Sequence, residues 1–394
     1  MNILFVFLSF FMIQSLSGSC SEQKTSPIAI LTGAEQPERY LPLLKGKRVG
    51  LAGNHTSVKG NLHLLDFLLQ EKINVTLVFA PEHGFRGEAS PGEKIKDGKD
   101  IQTGVELVSL YGKNLKPSPE IMKKLDIVVF DIQDVGCRFY TFLSTLYYLL
   151  EVCAENHIPL VVLDRPNPNG DYVAGPVLKP EFTSFVGIIP VPVVHGCTMG
   201  EMAAMIIGEK WIKTTEPCSL TVIPVKNYTH LTEYHPPLPP SPNLPNYQAV
   251  RLYPSLCFFE ATSVSIGRGT DFPFQVIGGT LPSLGNFMFT PKDIQGFVNN
   301  PVNEDKTCYG IDLRNVRPIP RFTLKYFLQF YKAYPEEKEF LTSERWLNLL
   351  SGNSALIQGI RDGLTEEQIA ASWKGELENY LEIRKKYLLY PDSE

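Results

Sequence analysis

Four short apolar runs punctuate the first half of the chain, at residues 47–52, 75–80, 127–132 and 160–164. Runs of this length, rich in Val, Ile, Leu and Phe and bounded by turn residues, read as strands buried on both faces. Helical patterns fall between them. Leu62, Leu64, Leu65, Phe67, Leu68 and Leu69 fit one, and Phe142–Val152 fits another. Strands alternating with helices predict an α/β fold with a doubly wound, mostly parallel sheet. From about residue 185 the pattern changes. Residues 185–196 are extended and broken by prolines, and Met199–Trp211 reads as a helix with Thr198 as its cap. The proline-rich stretch 236–245 can be neither helix nor central strand. It is a linker or a rigid loop lining a cleft, and the domain boundary is placed at its end, between 28–247 and 248–394. The remainder carries strand-like patches (262–266, 308–313) and amphipathic helices (324–333, 343–350, 366–390). That mix predicts a smaller α+β domain.

The first twenty residues differ from the rest. Ile3–Ile13 is apolar apart from Ser9, too short to span a bilayer and of the length of an export-signal core. Ser17, Gly18 and Ser19 then lead to Cys20, the pattern of a bacterial lipoprotein signal in which the cysteine is lipidated. No Lys or Arg precedes the core, and Leu16 stands one place early, so simple secretion and a retained hydrophobic start stay open. The expectation is a signal peptide over 1–19, a polar tether over 20–27, and a protein of the periplasm or cell envelope held to a membrane through Cys20.

Composition narrows the classes. At 394 residues the chain holds about two to three domains. With 43% hydrophobic and 20% charged residues it is neither disordered nor fibrous. A net charge of −5 makes it a poor nucleic-acid binder. Beyond Cys20 there are six cysteines and no CxxC pair, and most sit in apolar runs, which favours buried free thiols.

In doubly wound folds ligands bind beyond the carboxyl ends of the strands. Four strand ends here carry polar, Gly/Pro-rich loops: Asn54 and His55; Glu82, His83 and Arg86; Asp131, Asp134 and Arg138; Asp164, Arg165 and Asn167. Together they predict one polar cleft. Glu82, in a Pro-Glu-His-Gly turn near Phe79 and Phe85, suits a general acid, or else pairs with Arg86. Asp131 and Asp134 are second carboxylates, metal ligands or loop-shaping caps. Farther on, Glu260, Arg268, Thr270 and Asp271 form the densest polar group of the second half, flanked by Gly267 and Gly269. Arg268 could grip a carboxylate or bridge internally. The aromatics Tyr111, Phe139, Tyr140 and Phe274 would serve a cleft or a core equally. No HExxH, GxSxG, Walker A or GxGxxG motif occurs, so a metal, serine-hydrolase, ATPase or dinucleotide site has no support.

Several longer motifs coincide with these sites: GlyAsnHisThrSer from Gly53, PheAlaProGluHisGlyPheArgGly from Phe79, PheAspIleGlnAspValGlyCysArgPheTyrThr from Phe130, AspArgProAsnProAsnGly from Asp164, ProSerProAsnLeuPro from Pro240, and PheGluAlaThrSerValSerIleGlyArgGlyThrAspPhePro from Phe259. In these the chain resembles the DUF1343 family, which includes exo-β-N-acetylmuramidases of the NamZ type, over about Leu41 to Tyr390. The resemblance implies a Rossmann-like catalytic domain closed by a smaller C-terminal domain. It implies removal of terminal, non-reducing N-acetylmuramic acid from peptidoglycan fragments, with no nucleotide or metal cofactor. It points to Glu82 as the acid/base and to Glu260 as a second carboxylate or a substrate-orienting group. The lactyl anion of that sugar needs local cations, for which Arg86, Arg138 and Arg268 are the candidates. A glycosidase, esterase or amidase acting on another cell-wall group, and a non-catalytic sugar-binding lipoprotein, are the alternatives.

Overall fold

A computed structural model describes residues 29–82, 84–86, 97–112, 114–294 and 298–392. Cys20, His83 and the signal and tether segments lie outside the described residues.

Seven strands make the main sheet: β1 (Arg48–Gly53), β2 (Asn74–Ala80), β3 (Gly98–Lys99), β4 (Glu106–Ser109), β5 (Ile127–Asp131), β6 (Leu160–Leu163) and β7 (Leu220–Ile223). Their spatial order is β7-β6-β5-β1-β2-β4-β3, all parallel except the short edge strand β3. The chain builds one flank outward from β1 and then returns to build the other from β5. The topological switch point therefore lies between β1 and β5.

Side-chain alternation explains why both faces need cover. Val128, Phe130, Leu160 and Val162 enter one apolar core, whereas Ile127, Val129, Val161 and Leu163 enter the other. The second core is closed by helices α1 (Pro37–Leu44) and α2 (Leu64–Gln70), the first by α3 (Phe142–Glu155) and α4 (Met199–Gly208). Thr198 does cap α4, its side chain accepting from the Glu201 N–H while Glu201 reaches back to the Thr198 N–H.

The C-terminal part starts with α5 (Tyr247–Leu256) and holds a three-stranded antiparallel sheet of β8 (Val276–Gly279), β9 (Phe287–Phe289) and β10 (Cys308–Asp312) in the order β8-β10-β9. Helices α6 (Lys325–Ala333), α7 (Glu344–Ser351), α8 (Glu366–Ala371) and α9 (Lys374–Arg384) follow. The helix expected over 366–390 is two helices, because the chain turns at Trp373 and buries that indole. Residues 262–266 make isolated bridges, Thr262 to Leu341 and Ser265 to Gly278, rather than a strand. The larger apolar core runs without a break from Ala52 through Phe258 and Phe327 to Tyr380, so the two parts share one interior. The tail after α9 returns to the first part, where the Tyr390 hydroxyl donates to Asp164 at 2.6 Å and Arg384 donates to the Gly196 carbonyl.

All six cysteines from Cys137 onward are free, five of them buried. Among the described residues no helix is long and apolar enough to cross a membrane.

Candidate active site

A cavity of about 540 Å³ opens where the two parts meet, within the range of about 300–1,000 Å³ usual for small-molecule sites. The strand ends supply Glu82 after β2, Tyr111 after β4, and Phe139, Tyr140 and Thr141 in the approach to α3. The proline-rich stretch contributes Ser241, Asn243 and Leu244, so it is a loop lining the cleft. The C-terminal part closes the cavity with Tyr253, Cys257, Glu260, Arg268, Phe274, Val298–Val302, Trp346 and Leu350.

Glu82 and Glu260 thus face one space. Thr141 Oγ1 donates to Glu82 Oε2 at 2.6 Å, and Tyr111 lines the same cavity, near enough for its phenol to feel the charge of this carboxyl. Burial, with the Glu82 charge added, pushes the Tyr111 phenol well up, so it stays a protonated donor. Arg268 donates to Glu260 Oε1 at 2.6 Å, and its guanidinium lies 5.0 Å from the centre of the Phe274 ring. Both partners of this pair keep about a quarter of their side-chain surface open. Among the described residues lining the cavity, Arg268 is the cation.

Other strand-end residues are elsewhere. Asp131 and Arg165 form a bidentate pair, Nε–Oδ1 2.6 Å and Nη2–Oδ2 2.9 Å, sealed at the switch point. Thr56, Gln133, Pro237 and Leu238 close round it. The proline-rich loop fills the place where the topology alone would seat a ligand, and His55 Nε2 holds that loop in place by its Pro239 carbonyl at 2.8 Å. Asn54 shapes the turn after β1, its Oδ1 accepting from the Thr56 N–H at 2.9 Å.

Asp134 is buried and off the cavity wall. Its Oδ2 accepts from the Gly136 N–H at 2.6 Å, while among the described residues Oδ1 has no hydrogen-bond partner and His195 Nε2 stays 3.8 Å from Oδ2. Burial pushes the Asp134 carboxyl up to about 7 and the His195 imidazole down to about 3. Asp164 accepts from Thr198 Oγ1 (2.7 Å), the Gly200 N–H (2.8 Å) and Tyr390. Asn167 holds the Cys197 carbonyl at 2.9 Å. These are framework roles.

Two candidate cations are also excluded from the cavity. Arg86 pairs with Asp100 at 2.9 Å and Asp66 at 3.4 Å, not with Glu82. Arg138 is sealed in the core and donates to the carbonyls of Pro176, Val191 and Leu350. Thr270 closes its own turn on the Gly267 carbonyl, and Asp271 is exposed away from the lining. Phe79 and Phe85 belong to the two cores, and neither lines the cavity. Thr141, Asn243 and Trp346 reach the cavity without having been singled out as site residues. Thr141 lies between a strand end and a helix start and Asn243 in the proline-rich stretch, whereas Trp346 sits on an amphipathic helix whose pattern does not separate core from cavity. Among the described residues no cluster of three or more His, Cys, Asp or Glu could hold a metal.

Two carboxyl groups facing one largely apolar, aromatic-walled cavity, without a serine elbow, are the equipment of a glycoside hydrolase. Comparison with known proteins agrees. Residues 49–248 match the family described as "Exo-beta-N-acetylmuramidase NamZ, N-terminal", and residues 251–390 match its C-terminal counterpart. The chain belongs to this exo-β-N-acetylmuramidase NamZ family. It is 37% identical over 374 residues to the "Peptidoglycan beta-N-acetylmuramidase NamZ" of Bacillus subtilis (strain 168), covering 89% of each chain. A DUF1343 family protein of Bacteroides fragilis solved at 1.30 Å has 44% identity and a TM-score of 0.86, covering 93% of this chain and 100% of that one. A second from the same organism has 27% identity and a TM-score of 0.78, covering 92% of this chain and 99% of that one.

Proposed function

We propose that this chain is an exo-acting glycoside hydrolase that releases terminal, non-reducing N-acetylmuramic acid from peptidoglycan fragments. The observation that carries the reading is the shared cavity of Glu82, Glu260 and Arg268, in a chain of the NamZ family. Glu82 acts as the acid/base at the glycosidic oxygen. Glu260 is the second carboxylate, a role for which Asp131 and Asp134 are too enclosed. Arg268 receives the lactyl carboxylate of the sugar, since its pairing with Glu260 leaves guanidinium donors on an accessible side chain. The protein works in the cell envelope, exported by residues 1–19 and anchored by a lipid on Cys20.

The test uses the mature chain with EDTA present, on a chromogenic β-N-acetylmuraminide and the matching β-N-acetylglucosaminide. Release from the first substrate alone, lost in Glu82→Gln, is the expected result. Activity on neither substrate by a folded protein would overturn the reading. The anchor has its own test: radiolabelled fatty acid enters the wild-type chain and not Cys20→Ala.

A further inference from the structure

Helix α3 begins beside the cavity, and Thr141 is its capping residue. A threonine at that position ordinarily has extended backbone and accepts from an N–H two or three residues on. Elsewhere in this chain Thr198, Ser343 and Thr365 do this, each with extended backbone. Thr141 does not. Its φ of −65° and ψ of −11° are helical, and its side chain makes no capping hydrogen bond. Its hydroxyl goes instead to Glu82 Oε2 at 2.6 Å. The helix has given up its cap to hold a carboxyl that stands on another strand end.

The second hydroxyl comes from a third element. Tyr111 follows β4, its ring leans on Phe185 with centroids 5.8 Å apart, and its phenol stands in the same cavity as Glu82, within reach of the carboxyl's charge. A hydrogen bond from one segment and a phenol set beside it by another hold the carboxyl more tightly than its own side-chain rotamers would. We infer that Thr141 and Tyr111 are positioning residues, which hold Glu82 at the glycosidic oxygen of the bound sugar. The inference rests on Glu82 being the acid/base, and it adds the groups that aim it.

The uncapped helix makes the test sharp, because removing the Thr141 hydroxyl takes nothing from helix stability. Thr141→Val, Thr141→Ser, Tyr111→Phe and Glu82→Gln are compared with wild type by steady-state kinetics on the chromogenic β-N-acetylmuraminide and by thermal unfolding. Misplacement of a reacting group by about 1 Å can cost about 100-fold. Thr141→Val is therefore expected to lower kcat by about 10-fold or more, with KM within about twofold. Thr141→Ser restores most of kcat, and Tyr111→Phe lowers kcat several-fold. Wild-type kcat in both Thr141→Val and Tyr111→Phe, with Glu82→Gln inactive, overturns this inference alone. So does a kcat loss in Thr141→Val that comes with a lowered midpoint and is not rescued by serine. An active Glu82→Gln overturns the acid/base assignment beneath it.

Discussion

The switch point and the cavity each hold an Asp or Glu beside an Arg, yet the two places differ in kind. At the switch point Asp131 and Arg165 meet in bidentate contact with 0% and 4% of their side chains exposed. In the cavity Glu260 and Arg268 share a hydrogen bond of the same 2.6 Å with 24% exposed on each. A buried ion pair is paid for in desolvation and serves to hold a register. A half-open pair keeps donors for a ligand. What separates them is the proline-rich loop, which lays Pro237 and Leu238 on one and Ser241 and Asn243 against the other.

The comparison can be broken at several points. Glu82→Gln should lower kcat by about 10²–10⁴-fold without moving the unfolding midpoint, as loss of an acid/base group does. Asp131→Ala should do the reverse. An uncompensated buried Arg165 costs about 3–5 kcal/mol in urea denaturation, while kcat of the folded protein stays near wild type. A kcat collapse in Asp131→Ala with stability intact would abolish the distinction. Arg268→Met should lower kcat/KM on the muraminide by about 10- to 150-fold, the worth of a charge-assisted hydrogen bond of about 1.5–3 kcal/mol.

A pH-dependent effect is expected at Asp134, a buried carboxyl outside both regions. Its folded carboxyl, raised to about 7, holds a proton that the unfolded chain releases near pH 4. Stability from this group is therefore present at low pH and falls as pH rises from about 4 to 7. Asp134→Asn cannot titrate and keeps the acceptor for the Gly136 N–H. Its unfolding midpoint relative to wild type should be higher at pH 8 than at pH 5.

Much of the fold was legible from the chain. The four apolar runs are β1, β2, β5 and β6, and their spacing announced parallel strands with intervening helices. The short strands β3 and β4 at one end of the sheet were not, since Gly98–Lys99 and Glu106–Ser109 are too polar to stand out. Of the site, Glu82, Glu260 and Arg268 were legible through the turns and glycines around them. The remaining charges misled for one reason: a residue's type does not say which partner the fold brings to it. Arg86 finds Asp100, Arg138 finds three carbonyls, and Asp164 finds a tyrosine far along the chain.

That tyrosine bears on the order in which the molecule can assemble. Asp164 lies at the end of a central strand, but the phenol that completes its hydrogen bonds leaves the ribosome 226 residues later. Until then the strand end carries a desolvated carboxyl one donor short. The first part of the chain therefore depends on the tail for its last hydrogen bond, and a product stopped before Tyr390 should be cut by proteases faster than the full chain even though its cavity lining is complete.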